Sequence, residues 1–418
     1  MGQRAVKRRR PTWRPPEWLV GTDGWLVVAV AALVLWGLLM VYSASPEFQW
    51  FFGRRLSNDT VDVAALVRRQ AIFVLLGAGG AVFLAAVDYR RWQKLAPLAL
   101  FGTWVMLFLV LVLKHLGGGT GRFLHGGSFQ PSEMAKVATV FYLAVWLARR
   151  QGRLGEREYG LYPLGFILGV TGGLVMMEPD LSAAATIVVV GMLMFFLAGG
   201  SLRQLLLVGG AALLGGLVVL LLYPQGMTRM REYLIGLGDP AKAADQIRLA
   251  ISAAARGGWF GVGPGRSQIK VSGLPLPHSD SVFAVVAEEY GVVGAAVMVF
   301  LFAVVVWRGV RIGLRAPDVY GRLLASGLAL WLGLEAFANM SMMLNLLPLA
   351  GNALPFISYG GSNMVSALSA VGLILSVGRA ASREAEQARR DTGAVVSLRR
   401  GDRRRRVSRP VGASGAGR

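Results

Sequence analysis

The chain of 418 residues contains no cysteine and only three histidines. The absence of cysteine excludes disulfides, thiol catalysis and thiolate-bound metals, and three histidines are too few for a histidine-rich metal centre. Charged residues are also scarce, at 16% of the chain, whereas soluble domains contain about 25%. The composition is therefore not that of a soluble domain.

Long hydrophobic runs dominate the sequence. Hydrophobic residues make up 54% of the chain and the mean hydropathy is +0.53. A transmembrane helix requires about 20 mainly apolar residues. The segments that fit are 24–43, 71–87, 96–114, 133–148, 161–177, 182–199, 204–223, 291–307, 322–340 and 358–378. The sequence thus predicts an all-α polytopic membrane protein with ten transmembrane helices.

The net charge of +21 is distributed as membrane orientation requires. If the N-terminus is cytoplasmic, most Lys and Arg residues fall in the inner segments, in agreement with the positive-inside rule. Both termini are therefore predicted to be cytoplasmic. Nucleic-acid binding is not expected, because no nucleic-acid-reading motif accompanies the charge.

The chain divides into three regions on composition. Residues 1–22 and 381–418 are basic and poor in apolar residues, so both are predicted to be disordered cytoplasmic tails, and the arginines at 403–406 can attract anionic head groups. Residues 23–380 contain the predicted spans and are expected to form the transmembrane domain. Within it, 224–290 is a long extracytoplasmic loop between helices 7 and 8, where 246–256 is predicted to be an amphipathic helix suited to the membrane interface.

The end of that loop concentrates titratable side chains directly before an apolar run. Asp280 lies two residues after His278, and Glu288 and Glu289 lie eight and nine residues after Asp280. Asp280 can cap the next helix, a role that Ser279 could also fill. It can equally serve as a general base or as a ligand to a hard divalent cation. The residues alone leave these alternatives open.

Polar residues at other spans mark further candidates, because charges inside a membrane are costly and usually functional. Glu133 and Lys136 lie three residues apart on one helical face, either as a helix-locking ion pair or as the wall of a polar cavity. Asp180 can cap the sixth span. Glu335 and Asn339 share one face of the ninth span, where interhelical hydrogen bonding is the simpler interpretation.

A glycine-rich run at 257–270 precedes the Asp280 motif. Glycines 261, 263 and 265 permit positive φ and close backbone approach. The backbone N–H groups of such a run can cradle anionic oxygens, with charge added by Arg266 or Lys270. The alternative is a bent linker.

Together these motifs resemble the SEDS family of polytopic peptidoglycan polymerases, whose members include FtsW, RodA and SpoVE. The matching blocks are 129–136, 178–180, Gln246 with the 257–270 run, 274–291 and 347–362. They cover roughly residues 25 to 380 in the family's order. The block Leu-Pro-Phe-Ile-Ser-Tyr-Gly-Gly-Ser at 354–362 is especially diagnostic.

The resemblance implies a glycosyltransferase that polymerises lipid II, an undecaprenyl diphosphate-linked disaccharide peptide, into β-1,4 glycan strands. The reaction would take place at the outer face of the bacterial cytoplasmic membrane and release undecaprenyl diphosphate. Asp280 is the implied catalytic residue, acting directly or together with a divalent cation such as Mg²⁺ or Mn²⁺, and no organic cofactor is implied. A class B penicillin-binding protein transpeptidase is the implied partner, together with other division or elongation proteins.

The resemblance also assigns roles to the other candidates. Substrate-binding or cavity roles fall to Glu133, Lys136, Arg122, Lys270, Arg266, His278, Ser279, Ser358, Tyr359 and Ser362. Supporting roles fall to Asp180, Gln246, Glu288, Glu289, Glu335 and Asn339.

The sequence departs from the family pattern at four positions. Ser279 replaces a threonine, Gly121 replaces an arginine, Ile269 replaces a glutamine, and Glu335 stands where glutamine is usual. None of these changes removes the presumed catalytic Asp280.

The branch of the family is indicated by regions outside the site. The basic N-terminal extension and the stretches 142–150 and 195–200 look more like FtsW than RodA, which favours septal synthesis in cell division. The alternatives are a RodA-type elongation polymerase, a lipid II flippase and a non-catalytic scaffold. A flippase is disfavoured because the polar residues cluster toward the outside.

Overall fold

A computed structural model of the chain describes residues 22–43, 63–116, 130–178, 180–270, 272–275 and 277–405, and the regular structure in these ranges is helical. The principal helices are α1 (Gly24–Ser43), α2 (Val63–Ala86), α3 (Ala96–His115), α4 (Pro131–Arg149), α5 (Tyr162–Met177), α6 (Leu181–Leu197), α7 (Leu202–Leu222), α8 (Pro224–Gly238), α9 (Asp245–Gly257), α10 (Val282–Leu314), α11 (Val319–Met343) and α12 (Gly361–Arg405). The predicted all-α class is confirmed.

Each predicted span has a helix at its place, and eight helical segments in the described ranges are long and apolar enough to cross a membrane. Helix α6 is apolar but has only 17 residues. Helix α4 has 19 residues and carries Glu133 and Lys136, which lower its hydropathy. The chain is therefore a multi-pass membrane protein, and the count of ten spans stays a prediction.

Local sequence signals set several helix boundaries. Pro131 lies in the first turn of α4, where a missing N–H is tolerated. Asp180, Ser201 and Asp318 each accept a hydrogen bond from a backbone N–H in the first turn of α6, α7 and α11. Such N-caps satisfy donors that a helix cannot pair internally.

Helix α11 is the centre of the bundle. Over its most apolar window 78% of the residues are buried, compared with 11% for the peripheral helix α2. It packs against α4, α6, α10 and α12. A polar side chain on α11 is therefore shielded by protein on several sides and must find its partners there.

Helix α10 is broken near its start. Gly291 has φ 66° and ψ −163°, which interrupts the helix between a buried first segment and the long span. A Cβ atom at Gly291 would lie 2.5 Å from the backbone nitrogen of Gly261. Glycine is needed at this position both for the positive φ and for the close contact with the glycine-rich run.

The predicted amphipathic helix at 246–256 is confirmed as α9. Its apolar residues Ile247, Ala250 and Ala253 are buried, and α9 packs against α10. The apolar face therefore covers protein, which corrects the expectation that this face rests on the membrane interface.

Helix α12 continues through Arg405, past residue 381, where a disordered tail was predicted to begin. The segment beyond 381 is rich in Ala, Glu and Arg, which have high helix propensity and extend a helix that is already nucleated by packing. The predicted N-terminal tail at 1–22 lies almost entirely outside the described residues, as does 406–418.

Candidate active site

Asp280 lies in the turn that leads into α10. The N-cap position of that helix is Ser281, so neither Asp280 nor Ser279 occupies it. The Ser279 hydroxyl donates to Asp280 Oδ1 at 2.9 Å. Asn339 Nδ2 on α11 donates to the Asp280 backbone carbonyl at 3.0 Å. The backbone of the turn is thus fixed to the central helix, while the half-buried carboxylate is presented at its edge.

The loop before α12 forms the other side of this turn. The Ser358 hydroxyl donates to the Ser279 carbonyl at 2.8 Å, and the Tyr359 N–H donates to the His278 carbonyl at 2.8 Å. The rings of His278 and Tyr359 meet edge to face, with centroids 5.5 Å apart. The structure therefore brings together five residues that the sequence predicted, at 278–280 and 358–359.

A buried amide pair joins this loop to α11. Asn339 is 1% exposed and donates to the Asn352 carbonyl as well as to that of Asp280. In return, Asn352 Nδ2 donates to the Glu335 carbonyl at 3.2 Å. Asn339 thus binds two loops, whereas the sequence suggested a hydrogen bond to a neighbouring helix. Asn352 is a positioning residue that the sequence argument missed.

A buried ion triad lies further along the same face of α11. Lys136 Nζ donates to Glu133 Oε1 at 2.8 Å and also to Glu335. Asn363 Nδ2 on α12 donates to Glu133 Oε2 at 2.9 Å. All three charged side chains are at most 6% exposed. The predicted Glu133 and Lys136 pair is present, and Glu335 adds a second acid, so one ammonium lies between two carboxylates.

Asp180 connects α6 to the start of α4. It caps α6 by accepting from the Ala183 N–H at 3.1 Å, as the sequence predicted. It also accepts from Gln130 Nε2 at 3.0 Å and from the Ser132 hydroxyl at 3.2 Å. The Gln130 N–H in turn donates to Ser362 Oγ at 2.9 Å, so Ser362 supports the entry to α4 in this arrangement.

The glycine-rich run is a bent linker clasped around the break in α10. The N–H groups of Val262 and Gly263 donate to the carbonyls of Glu288 and Glu289 at 3.0 Å. The N–H groups of Gln268 and Ile269 donate to the Glu288 carboxylate at 3.1 and 3.2 Å. The run does cradle an anion, but the anion is Glu288, so these N–H groups are not available to a substrate.

Lys270 is part of a second buried ion pair. Its ammonium donates to Glu289, and to the carbonyl and hydroxyl oxygens of Ser43 at 2.8 Å each. Its side chain is 1% exposed. Burial lowers the pKa of Lys270, and the charge of Glu289 opposes that shift. The Lys270 ammonium donates to Glu289 and Ser43, so in this arrangement it is directed at this chain and not at the anionic oxygens predicted from the sequence.

Two other predicted residues lie apart from the Asp280 carboxylate, and a third lies outside the described part of the chain. Arg266 is exposed on the glycine-rich run. Gln246 on α9 donates to Ser281 Oγ at 2.7 Å, and that hydroxyl donates to the Pro275 carbonyl at 2.8 Å, so Gln246 supports the turn as predicted. Arg122 lies outside the described residues.

Burial favours the neutral form of the His278 ring. Burial lowers the pKa of His278 from its usual value near 6.5, and the charge of Asp280 only partly opposes this effect. The ring is therefore a packing partner for Tyr359 and a neutral neighbour of the carboxylate, with no fixed positive charge to offer a diphosphate.

An apolar cavity of about 620 Å³ lies beside the turn. Helices α6, α7, α8 and α11 and the loop 347–350 contribute its walls, and Arg229 on α8 contributes a charged side chain. The next loop residue, Gly351, lies so close to the catalytic candidate that a Cβ atom there would be 2.8 Å from Asp280 Oδ2. Arg229 and Gly351 could not be identified from the sequence, because no local motif marks a residue whose role depends on which helices and loops become neighbours.

The donor set for a metal is small. In the described part of the chain, no group of three or more His, Asp or Glu side chains could hold a metal ion. Mg²⁺ commonly uses one or two carboxylates together with substrate phosphates and water. A cation at this site would therefore rely on Asp280 and the substrate for its ligands, and the predicted cofactor stays a prediction.

Comparison with known proteins gives consistent matches over most of the chain. A family model for FtsW, RodA and SpoVE, described as cell cycle protein, matches residues 24–383. The chain is 36% identical to a probable peptidoglycan glycosyltransferase FtsW of Geobacter sp. strain M18, over 85% of this chain and 96% of that protein. It is 33% identical to the stage V sporulation protein E of Bacillus subtilis strain 168, over 85% and 96%.

Solved structures are similar over a comparable length. A chain from a peptidoglycan synthase complex, described as coordinating polymerization and crosslinking, aligns with a TM-score of 0.67 and 28% identity, over 87% of this chain and 99% of that one. The rod shape determining protein RodA of Thermus thermophilus aligns with a TM-score of 0.61 and 27% identity, over 87% and 98%.

The ion triad yields a stability prediction. We expect Lys136→Met to destabilise the protein by about 3 to 5 kcal/mol, because it leaves two buried carboxylates without their cation. Thermal unfolding of the full chain in lipid nanodiscs measures the effect. The exposed pair of Arg153 and Glu156 has the same three-residue spacing, so Arg153→Met is the matched control and should leave Tm nearly unchanged. Equal Tm values for Lys136→Met and the wild type would show that the triad does not stabilise the fold.

Proposed function

The chain belongs to the FtsW, RodA and SpoVE family of cell cycle proteins, and we infer from this membership that it is a peptidoglycan glycosyltransferase. Relatives that bear this name are 34 to 36% identical over most of both chains. The protein is FtsW-like, as the sequence predicted. We further propose that it works in septal wall synthesis during division.

The proposed substrate is lipid II, and the observation that carries this proposal is the contact between an apolar cavity and an acidic turn. The cavity wall at 347–350 continues directly into Gly351, which lies so close to the turn that an added Cβ atom would be 2.8 Å from Asp280 Oδ2. A polyprenyl chain matches the apolar wall by the same hydrophobic effect that holds lipid tails together. A sugar attached to that chain would then lie beside the carboxylate.

Arg229 is the proposed partner of the substrate diphosphate. It lines the same cavity and its side chain is exposed, so its charge is available to a ligand. Guanidinium groups bind phosphate oxygens through paired N–H donors. Arg229 is thus proposed to supply the positive charge that the sequence predicted for Arg266 or Lys270.

In the proposed reaction, Asp280 acts as a general base on the acceptor sugar. Its carboxylate takes the proton of the 4-hydroxyl as that oxygen bonds to the anomeric carbon of the donor. The bond between the anomeric carbon and the diphosphate oxygen breaks at the same centre, and undecaprenyl diphosphate leaves with the electron pair. The Ser279 hydroxyl, which donates to Asp280 Oδ1, orients the carboxylate.

The setting of the reaction follows from the predicted orientation. We propose that the Asp280 turn lies at the outer face of the cytoplasmic membrane and that both termini are cytoplasmic. A class B penicillin-binding protein is the proposed partner. Support comes from the structural likeness to a chain of a peptidoglycan synthase complex that is described as joining polymerization to crosslinking.

The catalytic assignment is tested by Asp280→Asn in a lipid II polymerisation assay with the partner present. We expect loss of glycan synthesis, because the amide cannot accept the hydroxyl proton. Asp245→Asn is the control, since Asp245 is an exposed acid of the same loop, and it should retain full activity. Normal polymerisation by Asp280→Asn would refute the assignment. Lipid II translocation without polymerisation by the wild type would favour a flippase instead.

The diphosphate contact is tested by Arg229→Gln. We expect the KM for lipid II to rise by roughly three- to tenfold, because one charge-assisted contact is worth about 1 kcal/mol at a partly exposed site. Arg231→Gln is the matched control, since Arg231 lies on the same helix, is exposed, and does not line the cavity. Equal KM values for the two variants would contradict the role of Arg229.

A further inference from the structure

Two large aromatic side chains project from the glycine-rich run. Trp259 is 71% exposed and Phe260 is 83% exposed. They follow the end of α9 at Gly257 after a single residue, Gly258. Apolar aromatic groups this exposed are unfavourable in water, because their apolar surface is stabilised when it is removed from water.

We call Trp259 and Phe260 the aromatic tip. Its backbone is held against α10 by hydrogen bonds. The N–H of Val292 donates to the Gly258 carbonyl at 2.9 Å, and the N–H of Val293 donates to the Trp259 carbonyl at 3.1 Å. The Gly261 N–H donates to the Gly257 carbonyl at 2.7 Å. The tip therefore keeps a fixed position relative to the start of the long segment of α10.

That position corresponds to one edge of the membrane. The charged end of the α10 span is marked by Arg308 and Arg311. About 20 residues cross the hydrocarbon core, so counting back from Arg311 puts the opposite edge near Gly291. The aromatic tip is bonded to the two residues directly after Gly291 and so lies at the level of the interface.

The tip is also continuous with the lipid-facing surface of α10. Val292, Val293 and Val297 are between 45% and 51% exposed, and Phe300 further along is 65% exposed. The apolar face of α9, by contrast, is already covered by α10. The tip is thus the part of the glycine-rich run that extends this lipid-facing surface.

We propose that Trp259 and Phe260 insert into the interfacial layer of the bilayer on the Asp280 side and anchor the glycine-rich run there. Aromatic side chains are enriched at this depth, where an apolar ring meets hydrated head groups. Because Glu288 and Glu289 tie the run to the first segment of α10, the anchor sets the height of the Asp280 turn above the membrane. The proposal does not depend on the reaction assigned to Asp280.

Single-site spin labelling tests the proposal, and a chain without cysteine requires only one substitution per sample. Phe260→Cys is labelled with a nitroxide in the full-length protein in nanodiscs. Collision rates with oxygen and with a water-soluble nickel chelate give its depth, calibrated with spin-labelled lipids. Phe300→Cys provides a lipid-facing reference, and Ser272→Cys provides an exposed polar reference in the same segment. Because the side chain of Phe260 is exposed, its replacement leaves the packing of the protein core unchanged.

The expected oxygen-to-nickel ratio at residue 260 is severalfold higher than at residue 272 and corresponds to the head-group region. A ratio equal to that at residue 272 would overturn the proposal, because the tip would then be in water. Low accessibility to both reagents would also overturn it, because a protein surface, either a partner or a second copy, would then cover the tip.

Discussion

The arrangement of the helices around Asp280 depends on one buried cation, the ammonium group of Lys136. Lys136 lies between Glu133 and Glu335 and so connects α4 to the central helix α11, while Asn363 connects Glu133 to α12. Charges this deep in a bundle are tolerated only when they are paired and hydrogen-bonded. From Glu335 the polar contacts continue through Asn352 and Asn339 to the Asp280 backbone. The turn that carries Asp280 is therefore fixed by contacts that begin in the core.

A second set of contacts holds the turn from the other side. The break at Gly291 separates a short buried segment of α10 from the membrane span. The adjacent acids Glu288 and Glu289 point to different partners, one to the N–H groups of the glycine-rich run and the other to Lys270 and Ser43. Most charged residues near the site therefore serve to position the backbone. Among the described charged residues, Asp280 is the proposed general base and Arg229 the proposed partner of the substrate diphosphate.

The sequence predicted the helices well, because span length and apolar composition are local properties. It also predicted the pairing of Glu133 with Lys136 and the capping role of Asp180, which depend on spacing of three residues or on the start of a helix. It could not predict that Glu335 joins the pair from 199 residues away, or that Glu288 occupies the anion cradle formed by the glycine-rich run. Those outcomes depend on which helices become neighbours. The same limit explains why Lys270 looked available and why Arg229 was overlooked.

The central claim is that the hydrogen bond from Asn339 holds the Asp280 turn in place on the buried helix α11. The turnover number of the Asn339→Ala variant tests this claim most directly. In lipid bilayers with the proposed penicillin-binding protein present, we expect kcat of Asn339→Ala to fall by about tenfold or more, because a misaligned catalytic group reduces the rate by at least that factor. The KM for lipid II should stay within about twofold of the wild-type value. Wild-type kcat in a folded Asn339→Ala protein would contradict the account, because the Asp280 turn would then hold its geometry without the core.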